Sequence, residues 1–388
     1  MLAKIISKVE QKLIFYLLCF VILTANFGLL TRLSFTKEIR FTIFEVLVYI
    51  FVLIALLKIK KDFVIQISKF KFLNFFLVYS WINFAFNSTR YNQSSIIIGV
   101  FYLIRITVFL LLFPILYTLI KNKYLPSNPL IKIIKLSAVL QVIIAIAQIL
   151  WYPNLRNLQY LGWDPHYFRV FSVYLDTYLT NNIFVLFAFF SLYNNWTGLF
   201  LLHSLLSLAT YARAGIMLFG IALLFNKRFL AKIKLFFLIL AGAVTLILFF
   251  LNPYIGGKLL RSDTVISRIE DSKQALELIK KNILFGIGFN FIGNYKKEVY
   301  YYEIAQLKPV YNSKSYFHNL YLSIWATTGI IGFCLFLLAL VQLLNLYRFP
   351  DILIYVLTYS LIDNALFNVF VLFYLSLFLN LLKFKYKI

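Results

Sequence analysis

Long apolar segments separated by short polar connections occupy most of the chain. A membrane-spanning helix needs about 20 apolar residues. Segments near this length occur at residues 13–30, 41–57, 70–87, 95–120, 131–152, 181–194, 196–211, 213–226, 229–251, 319–345, 351–366 and 367–382. The pattern predicts an all-α polytopic membrane protein with about 12 transmembrane helices, organised as a single integral membrane domain over residues 1–388.

Residues 252–318 form the longest interval without a membrane-spanning apolar run. Within this large loop, apolar residues recur at helical spacing, which predicts an amphipathic helix lying on the membrane surface. The apolar stripe consists of Val265, Ile266, Ile269, Leu276, Ile279 and Ile283. Arg268 borders this stripe and is therefore expected at the level of the lipid headgroups. Gly286 and Gly288 follow, and we expect them to end the helix in a tight turn rather than to contact phosphate.

Composition agrees with a membrane location. Hydrophobic residues make up 62% of the chain and charged residues 13%, with a mean hydropathy of +0.85, values that exclude an ordinary soluble domain. Cys19 and Cys334 both lie within apolar segments and indicate neither a disulfide framework nor a metal site. The first apolar segment is predicted to be a retained transmembrane helix rather than a cleavable signal peptide.

The net charge of +24 is spread over the connections between apolar segments. Lysines concentrate in alternate connections, at residues 58–61, 121–123, 227–234 and 383–387. The positive-inside rule then places both termini in the cytoplasm and the 153–180 and 252–317 loops on the outer side. Cations distributed in this way favour membrane lipids and anionic lipid-linked substrates as partners, and they argue against nucleic acid.

Arginines follow a different distribution from lysines, because most of them fall on the predicted outer side. These are Arg32, Arg40, Arg90, Arg156, Arg169, Arg213, Arg261 and Arg268. A guanidinium group is a planar fork suited to bidentate contact with phosphate, whereas lysine acts as a flexible point charge. The set is therefore a candidate phosphate-binding surface, although single members could equally extend to lipid headgroups.

His318 is the last polar side chain but one before an apolar helix, and a histidine can accept a proton near neutral pH. The sequence contains no HExxH motif, paired-cysteine motif, nucleophile elbow or Walker loop, so we expect no metal and no cofactor. Any reaction must then draw its energy from an activated substrate or a gradient.

The segment from Arg268 through Phe333 resembles the signature region of the O-antigen ligase and O-antigen polymerase superfamily of bacterial membrane glycosyltransferases. In that family an arginine followed by a tryptophan and an alanine opens an outer helix, a proline-containing Gly-x-Gly turn ends it, and a His-Asn pair starts the next helix. The matching residues here are Arg268, Ala275, Gly286, Gly288, His318, Asn319, Tyr321, Leu322, Gly329 and Gly332. Upstream, residues 210–215 resemble the family's Ser-Arg motif at a periplasmic hairpin.

The resemblance covers residues 200–335 and includes three departures. Ser272 stands at the tryptophan position, Ile283 at the turn proline and Ala212 at the serine before the arginine. These departures affect local packing more than chemistry, because both arginines and the histidine are present.

The resemblance implies a GT-C-like fold in the bacterial inner membrane and a glycan donor linked to undecaprenyl pyrophosphate. The glycan would pass to an acceptor sugar hydroxyl on the periplasmic side, without nucleotide hydrolysis. Arg213 and Arg268 would hold the pyrophosphate. His318 would accept the proton of the acceptor hydroxyl, and direct attack would invert the anomeric centre without a metal ion.

Further substrate contacts are expected from Arg169, Arg261 and Asn319. The acceptor decides between an O-antigen ligase, which uses a lipid A core sugar, and a polymerase, which uses a second lipid-linked glycan; we lean to the ligase. A transporter or flippase for a lipid-linked sugar is a rival from another class. Such a protein would place charges along a path through the midplane, whereas only Arg105 and Glu45 are predicted to lie deep. The oligomeric state is left open.

Overall fold

The computed structural model describes residues 2–34, 39–161, 166, 168–226, 229–230, 262–296 and 316–386. Within these ranges the chain is predominantly helical. The helices are α1 (Leu2–Thr24), α2 (Ile43–Ile67), α3 (Lys71–Ser88), α4 (Gln93–Lys121), α5 (Ser127–Trp151), α6 (Thr177–Tyr193), α7 (Thr197–Ala209), α8 (Arg213–Leu224), α9 (Ser262–Lys281), α10 (Leu320–Tyr347), α11 (Pro350–Tyr359) and α12 (Val369–Tyr386). Short 3₁₀ helices occupy Ala25–Thr31, Ser68–Phe70, Arg156–Leu161 and Ser172–Tyr174.

Five segments of the described chain are long and apolar enough to cross a membrane. They are Gln11–Thr31, Gln93–Lys121, Ser127–Trp151, Leu320–Tyr347 and Val369–Tyr386. The helices α6, α7, α8 and α11 are apolar but shorter. The predicted all-α membrane class is confirmed, whereas the number of about 12 spanning helices and the GT-C-like arrangement stay predictions.

An antiparallel hairpin, which the apolar pattern did not predict, precedes α2. Its strands are β1 (Arg32–Ser34) and β2 (Arg40–Thr42). Thr42 then caps α2 reciprocally with Glu45, since the Thr42 N–H donates to Glu45 Oε2 at 2.7 Å and the Glu45 N–H donates to Thr42 Oγ1 at 3.3 Å. Glu45 also pairs with Arg105 at 2.9 Å. The two deep charges therefore neutralise each other instead of lining a path.

The helices α6 and α12 lie at the centre of the bundle. Every side chain from Leu179 to Tyr193 in α6 is buried, as is every side chain from Phe370 to Leu382 in α12. The rings of Phe190 and Phe378 stack between them, with centroids 4.3 Å apart. A helix that is apolar on all sides is stable only when it is surrounded by protein or lipid, so α6 is a fixed element against which the surrounding helices are placed.

The helix α10 is interrupted at Gly329, which has φ +66° and ψ −174°. The turn that follows α9 fits against this interruption through three backbone hydrogen bonds. Ile287 N–H donates to Ala326 O at 3.0 Å, Gly288 N–H donates to Thr327 O at 2.9 Å, and Ile330 N–H donates to Ile283 O at 2.9 Å. The turn thus pairs the backbone groups that the broken helix would otherwise leave unpaired.

Side chains of α3 and the turn after it satisfy the remaining carbonyls at this junction. Asn83 Nδ2 donates to Phe285 O at 2.5 Å, the Tyr79 hydroxyl to Thr328 O at 3.0 Å and the Tyr91 hydroxyl to Ile287 O at 2.9 Å. The expected tight turn is present, since Gly286 has φ +66° and Gly288 has φ +97°. It is packed into the protein rather than presented to a ligand.

The predicted amphipathic helix is present as α9, with one residue of the predicted apolar stripe on the opposite face. Its exposed residues include Ile266, Ile269, Lys273, Leu276 and Lys280, and its buried residues include Asp271, Ala275, Leu278 and Ile279. Ile279 was counted in the outer stripe but faces the bundle. Arg268 does not border the exposed face; at helical spacing it shares the inward face with Asp271 and Ala275.

Substitution of Gly329 by Ala is expected to lower the free energy of unfolding by about 3 kcal/mol, because φ and ψ at this position suit only glycine. An added Cβ would also lie 2.1 Å from Leu284 O. The matched control is Gly220→Ala in α8, where nothing lies within 4 Å of the added atom and helix propensity should raise stability by about 0.5 to 1 kcal/mol. Chemical denaturation in detergent, followed by circular dichroism, measures both. Equal effects of the two substitutions would contradict the role assigned to Gly329.

Candidate active site

The inward face of α9 lies against the start of α10 and brings a carboxylate to His318. Asp271 is 1% exposed. Its Oδ2 accepts a hydrogen bond from the His318 backbone N–H at 2.7 Å and lies 3.0 Å from His318 Nδ1. Since an ionised carboxylate can only accept, Nδ1 carries a ring proton, and in the neutral imidazole Nε2 is the atom with the lone pair. The His318 side chain is 21% exposed, so the imidazole is held on one side and reachable on the other.

Lys296 completes the surroundings of Asp271. Its Nζ lies 2.5 Å from Asp271 Oδ1, donates to Tyr316 O at 2.7 Å and lies 4.7 Å from the centroid of the Phe317 ring. Burial by itself would raise the pKa of Asp271, but hydrogen bonds from His318 and Lys296 lower that pKa below its ordinary value. Burial lowers the pKa of Lys296, and the Asp271 carboxylate opposes that shift. The carboxylate is thus kept ionised beside the histidine.

Arg268 lies one helical turn before Asp271 and reaches the connection between α11 and α12. A guanidinium nitrogen of Arg268 is 3.9 Å from Asp363 Oδ2, and its Cζ lies 5.4 Å from the centroid of the Tyr178 ring. A separation of 3.9 Å is too long for a hydrogen bond, so the ion pair orients Arg268 without using its N–H groups. The Arg268 side chain is 26% exposed and can meet an additional anion.

The pKa of Asp363 reflects both its burial and the charged groups around it. Burial raises the pKa of Asp363 and the nearby carboxylate of Asp176 raises it further, whereas His318 and Arg268 oppose that shift. Asp176 itself caps α6, because its Oδ1 accepts from the backbone N–H groups of Tyr178 and Leu179 at 2.7 and 3.1 Å. The first turn of α6 is therefore part of the same charged cluster.

The connection between α7 and α8, which precedes Arg213, is anchored to α6 at Asn181, about one helical turn after Tyr178. Asn181 Oδ1 accepts from Ser207 Oγ at 2.7 Å and from Thr210 Oγ1 at 3.3 Å. Gly215 allows close packing, since a Cβ there would meet the Asn181 side chain. Arg213 is the first residue of α8 and thus lies between two residues, Thr210 and Gly215, that contact Asn181 of α6. The structure connects Arg213 to Arg268 through α6.

Arg169 lies in the loop between α5 and α6, beside the connection between α7 and α8. The following residue, Val170, donates its backbone N–H to Ala209 O at 3.0 Å. Burial raises the pKa of Tyr211, and the Arg169 cation opposes that shift. Three of the predicted substrate-binding and catalytic arginines, Arg169, Arg213 and Arg268, therefore border α6 at the end where it begins.

The remaining predicted site residues have different positions. Asn319 caps α10, because its Oδ1 accepts from the Leu322 N–H at 3.1 Å. Arg261 lies outside the described residues. His203 is buried in α7 with Nδ1 2.8 Å from Leu199 O, and His166 is buried beside Phe171. Neither of these two histidines has the environment of His318.

Three charged residues of the cluster were not singled out from the sequence: Asp271, Lys296 and Asp363. One signal was available for Asp271, because a spacing of three from Arg268 places both residues on one face of a helix. Lys296 and Asp363 reach the cluster only through tertiary contacts. Within the described ranges no group of three or more His, Cys, Asp or Glu residues is arranged to hold a metal ion; the expected metal independence of the reaction stays a prediction.

Comparison with known proteins gives a family match for the part of the chain that carries Arg213, Arg268 and His318. Residues 186–337 match the family model described as O-antigen ligase. The match covers α7, α8, α9, the second half of α6 and most of α10, and it confirms the resemblance predicted from Arg268 and His318. It supports a membrane enzyme of the O-antigen ligase and polymerase type, with a lipid-linked glycan and an acceptor as partners. No curated protein matches the chain at a significant level.

Lys296→Met is expected to lower the free energy of unfolding by about 3 kcal/mol, because it leaves a buried carboxylate with one partner fewer. The double variant Lys296→Met with Asp271→Asn should lose at least about 1 kcal/mol less than the sum of the single variants, since the two groups interact directly. Denaturation in detergent of all three variants checks this. Lys273→Met, on the exposed face of α9, serves as control and should change stability by less than about 0.5 kcal/mol. Additive single effects would show that the pair is not coupled.

Proposed function

We propose that this protein is an O-antigen ligase that transfers a glycan from undecaprenyl pyrophosphate to a sugar hydroxyl of lipid A core, at the periplasmic face of the bacterial inner membrane. The observation that carries this proposal is an imidazole oriented by a buried carboxylate, with an arginine one helical turn from that carboxylate. His318 is fixed by Asp271 at 3.0 Å, and Arg268 is three residues from that carboxylate. The family match over residues 186–337 supports the same reaction class.

In the proposed reaction His318 acts as the general base. Its Nδ1 is occupied by Asp271, so Nε2 is the atom that accepts the proton of the acceptor hydroxyl. As the proton leaves, the hydroxyl oxygen forms a bond to the anomeric carbon of the donor. The bond between that carbon and the pyrophosphate oxygen breaks, and the electron pair leaves with undecaprenyl pyrophosphate. Attack from the face opposite the leaving group inverts the anomeric centre.

The arginines stabilise the charge on the departing pyrophosphate. Arg268 is the principal candidate, because its guanidinium faces the cluster without a short ion pair and because its planar donors suit phosphate oxygens. Arg213 and Arg169 border the same end of α6 and would contribute further positive charge. Arg261 and Asn319 remain proposed substrate contacts. No nucleotide is required, since the pyrophosphate is already a good leaving group.

The acceptor distinguishes a ligase from a polymerase within this proposal. Both would use the same donor, arginines and base, so the choice rests on the molecule that presents the hydroxyl. Transport without bond chemistry has less support, because Glu45 and Arg105 pair with each other at 2.9 Å. The lysine distribution supports a cytoplasmic location of both termini within this proposal.

Replacing His318 or Arg268 by Ala is expected to reduce glycan transfer by at least about 10²-fold, which is the range for loss of a general base or of a charge-stabilising donor. Arg268→Lys should recover little, because an ammonium group cannot reproduce the bidentate fork. The assay uses the purified full-length protein in proteoliposomes with an undecaprenyl-pyrophosphate-linked glycan. Lipid A core and a second lipid-linked glycan are offered separately, and mass spectrometry identifies the product.

The control for these variants is Lys280→Ala, which removes an exposed cation on the outer face of α9. It should retain transfer. Full activity of folded His318→Ala or Arg268→Ala protein would refute the mechanism. Product formed only with the second lipid-linked glycan would identify a polymerase, and movement of the donor across the bilayer with its linkage intact would identify a transporter.

Asp271→Asn is expected to lower kcat about 10²-fold while KM changes less than about threefold, because the residue orients the base and does not touch substrate. An amide carries an oxygen on one side and an NH2 group on the other, so either His318 or Lys296 would face a donor where Asp271 presents an acceptor. The matched control is Glu270→Gln, the neighbouring exposed carboxyl group on the outer face of α9, which should leave both constants unchanged. A rise in KM at constant kcat would instead place Asp271 in substrate binding.

A further inference from the structure

The loop that follows α5 forms a surface cavity of about 480 Å³. Its walls are Tyr152, Pro153, Asn154, Arg156 and Asn157. We propose that this cavity is a saccharide-binding subsite that holds one sugar unit of a substrate glycan. The inference rests on the proposed transfer reaction, because it assigns a place to a part of the glycan remote from the bond that is made.

The lining residues can contact both kinds of surface that a pyranose ring presents. A sugar has an apolar face of C–H groups and an edge of hydroxyl groups. Tyr152, which is 37% exposed, and Pro153 supply flat apolar surface for the first. The carboxamides of Asn154 and Asn157 and the guanidinium of Arg156 supply planar hydrogen-bonding groups for the second. A pocket of this volume lies within the range of about 300 to 1,000 Å³ that is usual for small ligands.

Hydrogen bonds within the loop direct these polar groups. The Tyr152 hydroxyl donates to Asn157 Oδ1, and Asn154 Oδ1 accepts from the Arg156 backbone N–H at 3.1 Å. Both carboxamide oxygens are therefore engaged inside the loop. Among the hydrogen bonds that the structure describes for this loop, the amide N–H groups of both asparagines are left for a ligand. The cavity thus offers donors, which suit the oxygen atoms of a sugar.

The cavity is fixed beside the segment that carries Arg169. Gln148 Nε2 donates to Tyr152 O at 3.0 Å and to Arg169 O at 3.3 Å. Phe168 N–H donates to Pro153 O at 2.9 Å. The Tyr152 ring also contacts Phe171 edge to face, with centroids 6.0 Å apart. The same short segment therefore connects the cavity wall to the arginines at the start of α6, which is where a glycan leaving the pyrophosphate would extend.

The composition of the cavity favours sugar over the other ligands of a membrane surface. A lipid chain requires aliphatic side chains, whereas the apolar surface of this cavity is bordered by three residues that carry amide or guanidinium groups. A phosphate group is usually met by several cations, whereas Arg156 is the single cation among the lining residues. The sugar can belong to the donor or to the acceptor, since both glycans present the same chemistry.

The test measures binding without turnover, using the full-length protein in nanodiscs. Saturation-transfer NMR is recorded with two lipid-free probes: the oligosaccharide released from the lipid-linked donor by mild acid, and the core oligosaccharide released from lipopolysaccharide. One probe is expected to receive saturation, which identifies the source of the sugar. Arg156→Ala and Tyr152→Ala should each weaken its binding about tenfold, and Tyr152→Phe should retain most of it. KM for the corresponding substrate should rise by the same factor while kcat changes less.

Lys280→Ala serves again as the control that removes an exposed cation elsewhere on the outer side. Tyr152→Ala also loses the contact with Phe171, so it could weaken binding by disturbing the fold of the loop. Arg156 is exposed, and Arg156→Ala therefore tests binding without that effect. Unchanged binding in Arg156→Ala and Tyr152→Ala, absence of saturation for both probes, or displacement of the probe by inorganic pyrophosphate would overturn the subsite. His318→Ala should bind the probe normally, so failure of the transfer reaction and failure of this subsite give different results.

Discussion

The backbone pairing between the 283–288 turn and the interruption of α10 is the constraint on which the candidate site depends. An interrupted helix inside a membrane protein leaves carbonyl and N–H groups that lipid cannot satisfy. Here the turn supplies the partners, at 2.9 to 3.0 Å, and Gly329 and Gly286 allow the two backbones to approach. The arrangement is reciprocal: if α10 were not interrupted, the backbone groups of the turn would have no partners. The end of α9 is thereby fixed against α10.

A second anchor lies nearer the start of α9. Asp271 uses both oxygens, one toward His318 and one toward Lys296. A helix held at two points cannot rotate, so Arg268, one turn from the first anchor, must face the bundle. A buried ion pair contributes little net stability relative to an apolar pair. Its effect here is placement, because the carboxylate that anchors the helix also sets the tautomer of the histidine.

These two anchors mark the limit of what the sequence could predict. The apolar segments predicted most helices, and the positions of Gly286 and Gly288 predicted the turn. The interruption at Gly329 could not be predicted, because it lies within a continuous apolar run. The inward orientation of Arg268 was missed because α9 carries apolar residues on both faces. Asp271 and His318 are 47 residues apart, and no local spacing connects residues at such a distance.

The two faces of α9 suggest why the site lies beneath this helix. Its exposed face alternates Ile269, Lys273, Leu276 and Lys280, a composition typical of helices at the boundary between headgroups and water. Arg268 lies on the opposite face of the same helix. In the proposed reaction the pyrophosphate of the donor lies at headgroup depth, since its polyprenyl chain is in the bilayer. A helix at that boundary presents its inward cation at the depth of the leaving group and separates the reacting atoms from bulk water, where the attraction between arginine and phosphate would be weakest.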